Sequence, residues 1–417
     1  MTDTAPAAPA EPADVTTAWL QSQRRLLRRH VAAAVHPDGG FAWLDSDNRP
    51  LLHRPVELWI TARMTHVAAL AVLEGDDSLQ GALDHGVTAL DTVFRDRENG
   101  GWFAAVSQGS PTLDDKRAYE HAFVVLAAAS ATAAGADGAA ELLTEALQII
   151  DEHFWRDADG LMVDVWDRTW TDLEAYRGVN ANMHSVEALL TASDVSGDPK
   201  WTGYAARIVE RVVHGFAATN GYHLPEHFTP DWVAVPDYNR DEPAHPFRPY
   251  GVTIGHLLEW SRLTLQTRDA LGDAAPEWML TDAVALLDLA VADGWSVDGR
   301  PGFVYTTDFE GRPVVRDRLH WVVAEGIGAA WALHVATGEA AYLERYAQWW
   351  VHARELFIDA EDGSWQHELN PDDEPASSVW EGRPDVYHAY QAELLSELER
   401  PVSFAGALLH QGSPPIL

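Results

Sequence analysis

Six of the Asp-Gly and Asn-Gly pairs in the chain form a series at nearly regular spacing. Successive glycines of these pairs are 61, 60, 61, 78 and 64 residues apart. The six glycines are Gly39, Gly100, Gly160, Gly221, Gly299 and Gly363. Such pairs are typical of tight turns, and in five copies an aromatic residue follows within a few positions. The repeat therefore predicts six copies of one unit, each with a turn that leads into a short strand.

Two kinds of helical segment alternate between these turns. Segments before a turn, such as "AELLTEALQIIDEHF" at 140–154, place apolar residues at helical spacing beside charged ones, as half-exposed helices do. Segments after a turn, such as "YEHAFVVLAAASATAAG" at 119–135, are more apolar and richer in Ala, which indicates helices buried on most sides. An outer helix, a turn and an inner helix, repeated six times, predict an all-α fold: an (α/α)6 barrel of twelve helices with short β-hairpins at one end.

The expected domain boundaries follow from this pattern. The barrel should span residues 15–400, between a disordered N-terminal tail at 1–14 and a C-terminal tail at 401–417. Residues 1–14 are rich in Ala and Pro and lack the basic end and apolar core of a signal peptide. The widest interval contains "HFTPDWVAVPDYNRDEPAHPFRPY" at 227–250. This stretch predicts a long loop, and long ordered loops are usually functional.

Composition excludes several classes of partner and chemistry. The chain has 29 Lys and Arg against 64 Asp and Glu, a formal net charge of −35. Such an acidic surface repels nucleic acids and anionic lipids. The absence of cysteine excludes disulfides, thiolate nucleophiles and Cys-ligated zinc. No apolar run reaches the roughly 20 residues of a membrane helix, so we expect a cytoplasmic protein that binds neither nucleic acid nor membrane.

Polar side chains gather near the starts of the predicted inner helices, which should converge on one mouth of the barrel. They are Arg63, His66, Tyr119, His121, Asn180, Asn182, His184, Glu187, His256, Glu259, His320, Glu325, His388 and Gln391. A single histidine at a helix start is usually a packing or capping residue. The same feature on six helices favours a shared site.

Two His-x-x-Glu pairs, His184 with Glu187 and His256 with Glu259, place both side chains on one helix face. Metal ligation is one interpretation, but carboxylate-bridged sites use the reverse order and no His-Glu-x-x-His is present. The other is acid–base chemistry, because histidine titrates near neutral pH and a nearby carboxylate orients it. Phosphate-binding loops, dinucleotide fingerprints and Gly-x-Ser-x-Gly are also absent. The 18 tryptophans suit either a core or a sugar-stacking site.

Several longer motifs together resemble the N-acylglucosamine 2-epimerase family, and more closely its aldose–ketose isomerase branch of mannose and sulfoquinovose isomerases. They are "TARMTHVAAL", "YEHAFVVLAAAS", "RGVNANMHSVEALL", "RPYGVTIGHLLEWSRLTL", "HWVVAEGIGAAWAL", "GSWQHEL" and "GRPDVYHAYQA". The resemblance runs from about residue 54 to residue 391. It implies an (α/α)6 barrel, a monosaccharide substrate and no cofactor or catalytic metal.

The resemblance also implies roles for individual residues. His388 would be the base that removes the C2 proton and returns it to C1. His256 would help to open the sugar ring and would move protons at the sugar oxygens, with Glu259 as the carboxylate beside it. His184, the third catalytic histidine, would bind the sugar and assist ring opening. The substrate-lining residues would be Arg63, Tyr119, Asn180, Trp321, Glu325 and Gln366. Arg63 would stabilise negative charge on the enediolate oxygens.

The sequence leaves several functions open. The leading hypothesis is conversion of D-mannose to D-fructose, with D-lyxose to D-xylulose as a second pair. A 2-epimerase of a free sugar, an N-acylhexosamine or a β-1,4-disaccharide would use the same histidines. A sulfoquinovose isomerase needs a cationic contact, for which Arg248 or Arg240 are candidates. A glycoside hydrolase would need two carboxylates across a cleft, and a non-catalytic toroid would not need the histidines.

Overall fold

The computed structural model describes residues 15–411, so the predicted disordered tail at 1–14 lies outside the described residues. Six helices form an inner ring and six form an outer ring. The inner helices are α2 (Leu58–Leu73), α4 (Ala118–Ala133), α6 (Asn180–Ser196), α8 (Ile254–Leu271), α10 (His320–Thr337) and α12 (Tyr387–Leu395). The outer helices are α1 (Thr17–Ala33), α3 (Gln80–Thr92), α5 (Ala139–Ile149), α7 (Pro199–Val209), α9 (Trp278–Gly294) and α11 (Ala340–Leu356).

The inner helices contact one another in the order α2, α4, α6, α8, α10 and α12, and α12 contacts α2 again, which closes the ring. Each outer helix packs on the inner helices beside it. The (α/α)6 barrel is thus confirmed. Helices α5 and α7 continue into π-helical turns at Ile150–Phe154 and Glu210–Ala217. Short 3₁₀ turns occupy Asp77–Leu79 and Gly272–Ala274.

Burial separates the two rings as their sequences predict. The inner helix α4 is buried around most of its circumference. The outer helix α3 buries one face, made of Ala82, Leu83, Gly86, Val87, Ala89 and Leu90. None of the helices between residues 15 and 411 is long and apolar enough to cross a membrane.

The six recurring glycines all have positive φ, from 60° at Gly221 to 103° at Gly39. Several of the turns close a small antiparallel bridge between the end of an outer helix and the residues that follow. Such bridges join Val35 to Phe41, Arg95 to Trp102, Trp295 to Phe303 and Ile358 to Trp365. The aromatic residue after the turn is one bridge partner in each, which explains why it recurs.

Short strands tie the starts of the inner helices together at one end of the barrel. The strands are β1 (Val56–Glu57), β2 (Ala105–Ser107), β3 (Ser110–Leu113), β4 (Lys116–Arg117), β5 (Trp155–Arg156), β6 (Leu161–Met162), β7 (Val165–Trp166), β8 (Arg177–Gly178), β9 (His227–Phe228), β10 (Val252–Thr253), β11 (Thr306–Thr307), β12 (Pro313–Val315), β13 (Arg318–Leu319) and β14 (Glu368–Leu369). Strands β1, β4, β8, β10 and β13 directly precede inner helices. They pair antiparallel with β2, β7, β9, β11 and β14 from the next unit. A bridge between Leu44 and Arg383 joins the first unit to the last.

Part of the segment assigned to a C-terminal tail is a helix, α13 (Phe404–Gln411). It packs against α2, α4 and α6. Ser403 donates a hydrogen bond to Asp194 near the C-terminal end of α6. Helix α13 therefore covers the end of the barrel opposite the starts of the inner helices.

Candidate active site

The structure brings His184, His256 and His388 together in one cavity at the starts of the inner helices. The space between its walls, including the part open to solvent at the mouth, is about 640 Å³. Its aromatic walls are Trp59, Tyr119, Phe247, Tyr305, Trp321 and Trp380. The side chains of all three histidines are less than one tenth exposed. Imidazoles from α6, α8 and α12 thus face one space because the ring closes.

His388 lies in the first turn of α12 and is oriented by Glu325 of α10. Its Nδ1 atom is 2.8 Å from Oε1 of Glu325, whose Oε2 accepts a hydrogen bond from Nε of Arg262 at 2.9 Å. Burial lowers the pKa of His388, although the hydrogen bond to Glu325 acts in the opposite direction. Burial disfavours the charged form of Glu325 too, but Arg262 and His388 outweigh it and lower its pKa to about 2. A carboxylate only accepts hydrogen bonds, so Nδ1 of His388 carries the proton and Nε2 is the basic nitrogen.

His256 has a different carboxylate partner from the one that the resemblance implied. Its Nδ1 atom lies 3.0 Å from Oε1 of Glu226. The ring of Trp321 lies 5.5 Å from the ring of His256 and 5.7 Å from that of His388. Gly255 makes this packing possible, because a Cβ atom there would come within 2.2 Å of the indole of Trp321.

Glu259 faces His184, and this corrects its expected place beside His256. The Nδ1 atom of His184 is 3.6 Å from Oε1 of Glu259, too long for a hydrogen bond. Glu259 stands one turn along α8 from His256, where Arg262 approaches it to 3.7 Å. Burial, with the charge of Glu325, raises the pKa of Glu259 well above its ordinary value. Burial, with Arg63, lowers the pKa of His184 well below its ordinary value.

Arg63 of α2 is held by two neighbours. One Nη donates to Oδ2 of Asp385 at 3.1 Å and the other to the hydroxyl of Tyr119 at 3.0 Å. The guanidinium also lies 4.3 Å from the centre of the Phe123 ring. Arg63 is the one arginine among the described residues that line the cavity. Its charge is fixed in place and partly balanced by Asp385.

Four of the six expected substrate-lining residues, Arg63, Tyr119, Asn180 and Trp321, do line the cavity. Glu325 and Gln366 do not, which corrects their placement: Glu325 lies behind His388. The amide of Gln366 donates to the backbone oxygen of Glu368. The next residue, His367, faces the cavity instead. Neighbouring residues of an extended chain point to opposite sides. His367 therefore faces the cavity, whereas Gln366, one position earlier, points away from it.

Five other polar residues predicted for the mouth do not line the cavity: His66, His121, Asn182, Glu187 and Gln391. His66 is bonded to Ser130, and Asn182 to the backbone of Met162. His121 bonds the carbonyl of Arg117 and the backbone N–H of Trp102. Glu187 accepts hydrogen bonds from Tyr387 and Gln391. These contacts hold helices and turns together beneath the cavity.

The sequence reasoning missed several cavity residues. Asp385 and His367 lie inside the motifs that carried the resemblance, where a closer examination could have found them. His367 stacks on His320, with ring centres 3.8 Å apart. Burial lowers the pKa of His320 to about 3 and that of His367 well below its ordinary value. This pair adds two neutral imidazoles to the wall.

The long loop between β9 and β10 contributes Pro246, Phe247 and Pro249 to the cavity wall. The candidate sulfonate-binding arginines are engaged elsewhere. Arg248 forms a bidentate pair with Glu174, both distances 2.8 Å, and stacks 3.9 Å from the ring centre of Tyr176. Arg240 pairs with Asp237 at 2.9 Å. Neither of these candidates for a cationic contact lines the histidine cavity.

Among the described residues, two buried sets of metal-ligand atoms include side chains that line the cavity, and the atoms of each set lie within 4.8 Å of one another. One set is His184, Glu187 and Glu259, and the other is Glu259, Glu325 and His388. The guanidinium of Arg262, 2.9 Å from Glu325 and 3.7 Å from Glu259, already supplies positive charge to the second set. The expectation of a metal-independent site stays a prediction.

The fold and the cavity define a class of protein: an (α/α)6 barrel with a histidine-lined site for a small polar molecule. The N-acylglucosamine 2-epimerase (GlcNAc 2-epimerase) family matches residues 39–392, and the chain belongs to this family. A D-mannose isomerase of Thermobifida fusca is 52% identical over 397 residues, which cover 95% of this chain and 97% of that protein. A D-mannose isomerase of Pseudomonas cannabina pv. alisalensis is 45% identical and covers 94% of both chains. A crystal structure of a D-mannose isomerase matches with a TM-score of 0.86 at 27% identity, over 93% of this chain and 99% of that one.

Proposed function

We propose that this chain is a cofactor-independent isomerase that interconverts D-mannose and D-fructose, with D-lyxose and D-xylulose as a second pair. The observation that carries the proposal is the imidazole of His388, held by Glu325 at 2.8 Å within a cavity shared with His184 and His256. The D-mannose isomerases at 45% and 52% identity support the same substrate. A cytoplasmic location, inferred from the sequence alone, stays a prediction.

The chemistry requires removal of a weakly acidic proton next to a carbonyl. Nε2 of His388 takes the proton from C2 of the open-chain aldose, and a cis-enediolate forms. Arg63 stabilises the negative charge on its oxygens. His388 then delivers the proton to C1 to give the ketose. His256, from its separate position in the cavity, opens the ring and moves protons at the sugar oxygens.

The charges of the cavity favour a neutral sugar over a sulfonated one. Arg63 is its one arginine among the described residues, and Asp385 pairs with it at 3.1 Å. Arg248 and Arg240 are paired with Glu174 and Asp237. A sulfonate would therefore find no uncommitted cation, whereas sugar hydroxyls find imidazoles, an amide and a phenol.

Incubation of D-mannose with the protein in D₂O, followed by NMR, tests the proposal. We expect D-fructose that carries deuterium at C1, because a single base exchanges part of its proton with solvent. D-Glucose as the main product would contradict isomerisation and indicate a 2-epimerase, in which His256 acts as the second base. No turnover of mannose or lyxose would overturn the proposed substrates.

A further inference from the structure

Glu226 is a buried carboxylate that the sequence analysis did not single out. It lies just before β9 and is 4% exposed. Its Oε1 atom is 3.0 Å from Nδ1 of His256. Among the described residues, His256 is the only basic group within ion-pair distance of Glu226. Its carboxylate is therefore directed at one side chain of the cavity.

The backbone around Glu226 is held on both sides. Its carbonyl accepts a hydrogen bond from the N–H of Val179, just before α6. The next residue, His227, pairs with Gly178 across the β8–β9 ladder. The ring of His227 is bonded to the hydroxyl of Tyr176 at 2.8 Å and to the carbonyl of Pro249 at 2.7 Å. The backbone at Glu226 is thus held by contacts other than the one between its side chain and His256.

We propose that Glu226 is the positioning residue for His256: it accepts the Nδ1–H of His256 and so presents Nε2 to the sugar. The inference rests on the proposed function for its kinetic consequence. Glu259, three residues from His256 on the same helix, does not perform this task, since it faces His184 at 3.6 Å and Arg262 at 3.7 Å.

The two principal imidazoles then share one arrangement. Glu325 holds Nδ1 of His388 and Glu226 holds Nδ1 of His256, so each histidine offers Nε2. The two carboxylates differ in one respect: Glu325 is paired with Arg262, whereas Glu226 has no arginine or lysine partner among the described residues. A glutamine at position 226 could donate its amide to Nδ1 and so favour the tautomer protonated at Nε2, which cannot accept a proton from the sugar.

The test compares Glu226→Gln with Glu120→Gln as a matched control. Glu120 is also 4% exposed, and it lies on α4 outside the cavity. The tautomer of His256 is read from ¹⁵N NMR of the ligand-free proteins, with the signals assigned by His256→Gln. We expect an Nδ1–H tautomer in the unmodified protein and in Glu120→Gln, and its loss in Glu226→Gln.

The kinetic readout follows the tautomer. In Glu226→Gln we expect kcat for mannose to fall at least about 10-fold, because misorienting an acid–base group forfeits part of its contribution, with KM within about threefold of the unmodified value. An Nε2–H tautomer in the unmodified protein overturns the inference even if no variant folds. So does an unchanged kcat in Glu226→Gln, or an unchanged tautomer there. Because the NMR readout needs no sugar, failure of the proposed substrate is distinguishable from failure of the role of Glu226.

Discussion

Nδ1 of His388 and Oε1 of Glu325 lie 2.8 Å apart, although 63 residues separate them in the chain. The contact joins the start of α12 to the second turn of α10 and fixes which nitrogen of His388 faces the cavity. A base with a fixed tautomer at the mouth of a closed helical ring is what a cofactor-independent isomerase requires.

Replacement of His388 by alanine tests its assignment as the base. We expect kcat to fall by about 10²-fold or more, because no other group would take the C2 proton. The fold should persist, as judged by circular dichroism and thermal unfolding. His410→Ala is the control, since His410 is exposed at the opposite end of the barrel. Full activity in His388→Ala would remove it as the base.

The pH profile of kcat/KM should reflect the lowered pKa of His388. A base works only when unprotonated, and burial holds the pKa of His388 below its ordinary value of 6.5. The activity should therefore persist to a lower pH than an ordinary histidine allows and fall only below about pH 6.5. Rates on mannose between pH 4 and 9 check this. An acid limb centred above pH 7 would contradict it.

Arg63→Lys tests the need for a fixed guanidinium. Lysine keeps the charge but cannot bond Asp385 and Tyr119 together in the planar geometry of arginine. We expect kcat/KM for mannose to drop about 10²-fold, as when a donor to a developing oxyanion is lost. Arg49→Lys is the control, because Arg49 is largely exposed. Equal activity of the two variants would contradict a role for Arg63 in charge stabilisation.

Removal of metal ions should leave the rate unchanged. One of the two sets of metal-ligand atoms, from Glu259, Glu325 and His388, already faces the guanidinium of Arg262. The positive charge of this guanidinium would repel a divalent cation bound at that set. Turnover of mannose after dialysis against EDTA checks this. A loss of activity that Mn²⁺ restores would show that a metal takes part.

Glu120→Gln should stabilise the protein at alkaline pH. Burial raises the pKa of Glu120 to about 7, although Arg117, 3.6 Å away, partly opposes it. The folded state holds this proton more tightly than the unfolded state does. The free energy of unfolding therefore falls as the pH rises from about 4.5 to 7. The shift corresponds to about 3 kcal/mol above pH 7. The variant should gain up to that amount in unfolding free energy at pH 8, and the gain should vanish near pH 4. Equal pH dependence of the two proteins in urea unfolding would refute this.

The sequence alone predicts the helical rings, because their signals are local. Helical periodicity separates the half-exposed α3 from the buried α4, and turn residues such as Asn99 and Gly100 mark where each unit bends. Once the units repeat six times, the starts of the inner helices must meet at one mouth. His184, His256 and His388 could therefore be grouped before any coordinates were known.

Only the tertiary structure decided which carboxylate serves which imidazole. Spacing along α8 pointed to Glu259 as the partner of His256, yet the partner is Glu226, which lies just before β9. The tertiary structure also places His367 rather than Gln366 at the cavity. It contains a helix at Phe404–Gln411, where the sequence predicted a tail. Periodicity specifies the buried face of each helix, whereas a hydrogen bond depends on distances of a few tenths of an ångström between side chains of different units. Those distances are set when the ring closes and the paired strands lock the helix starts together.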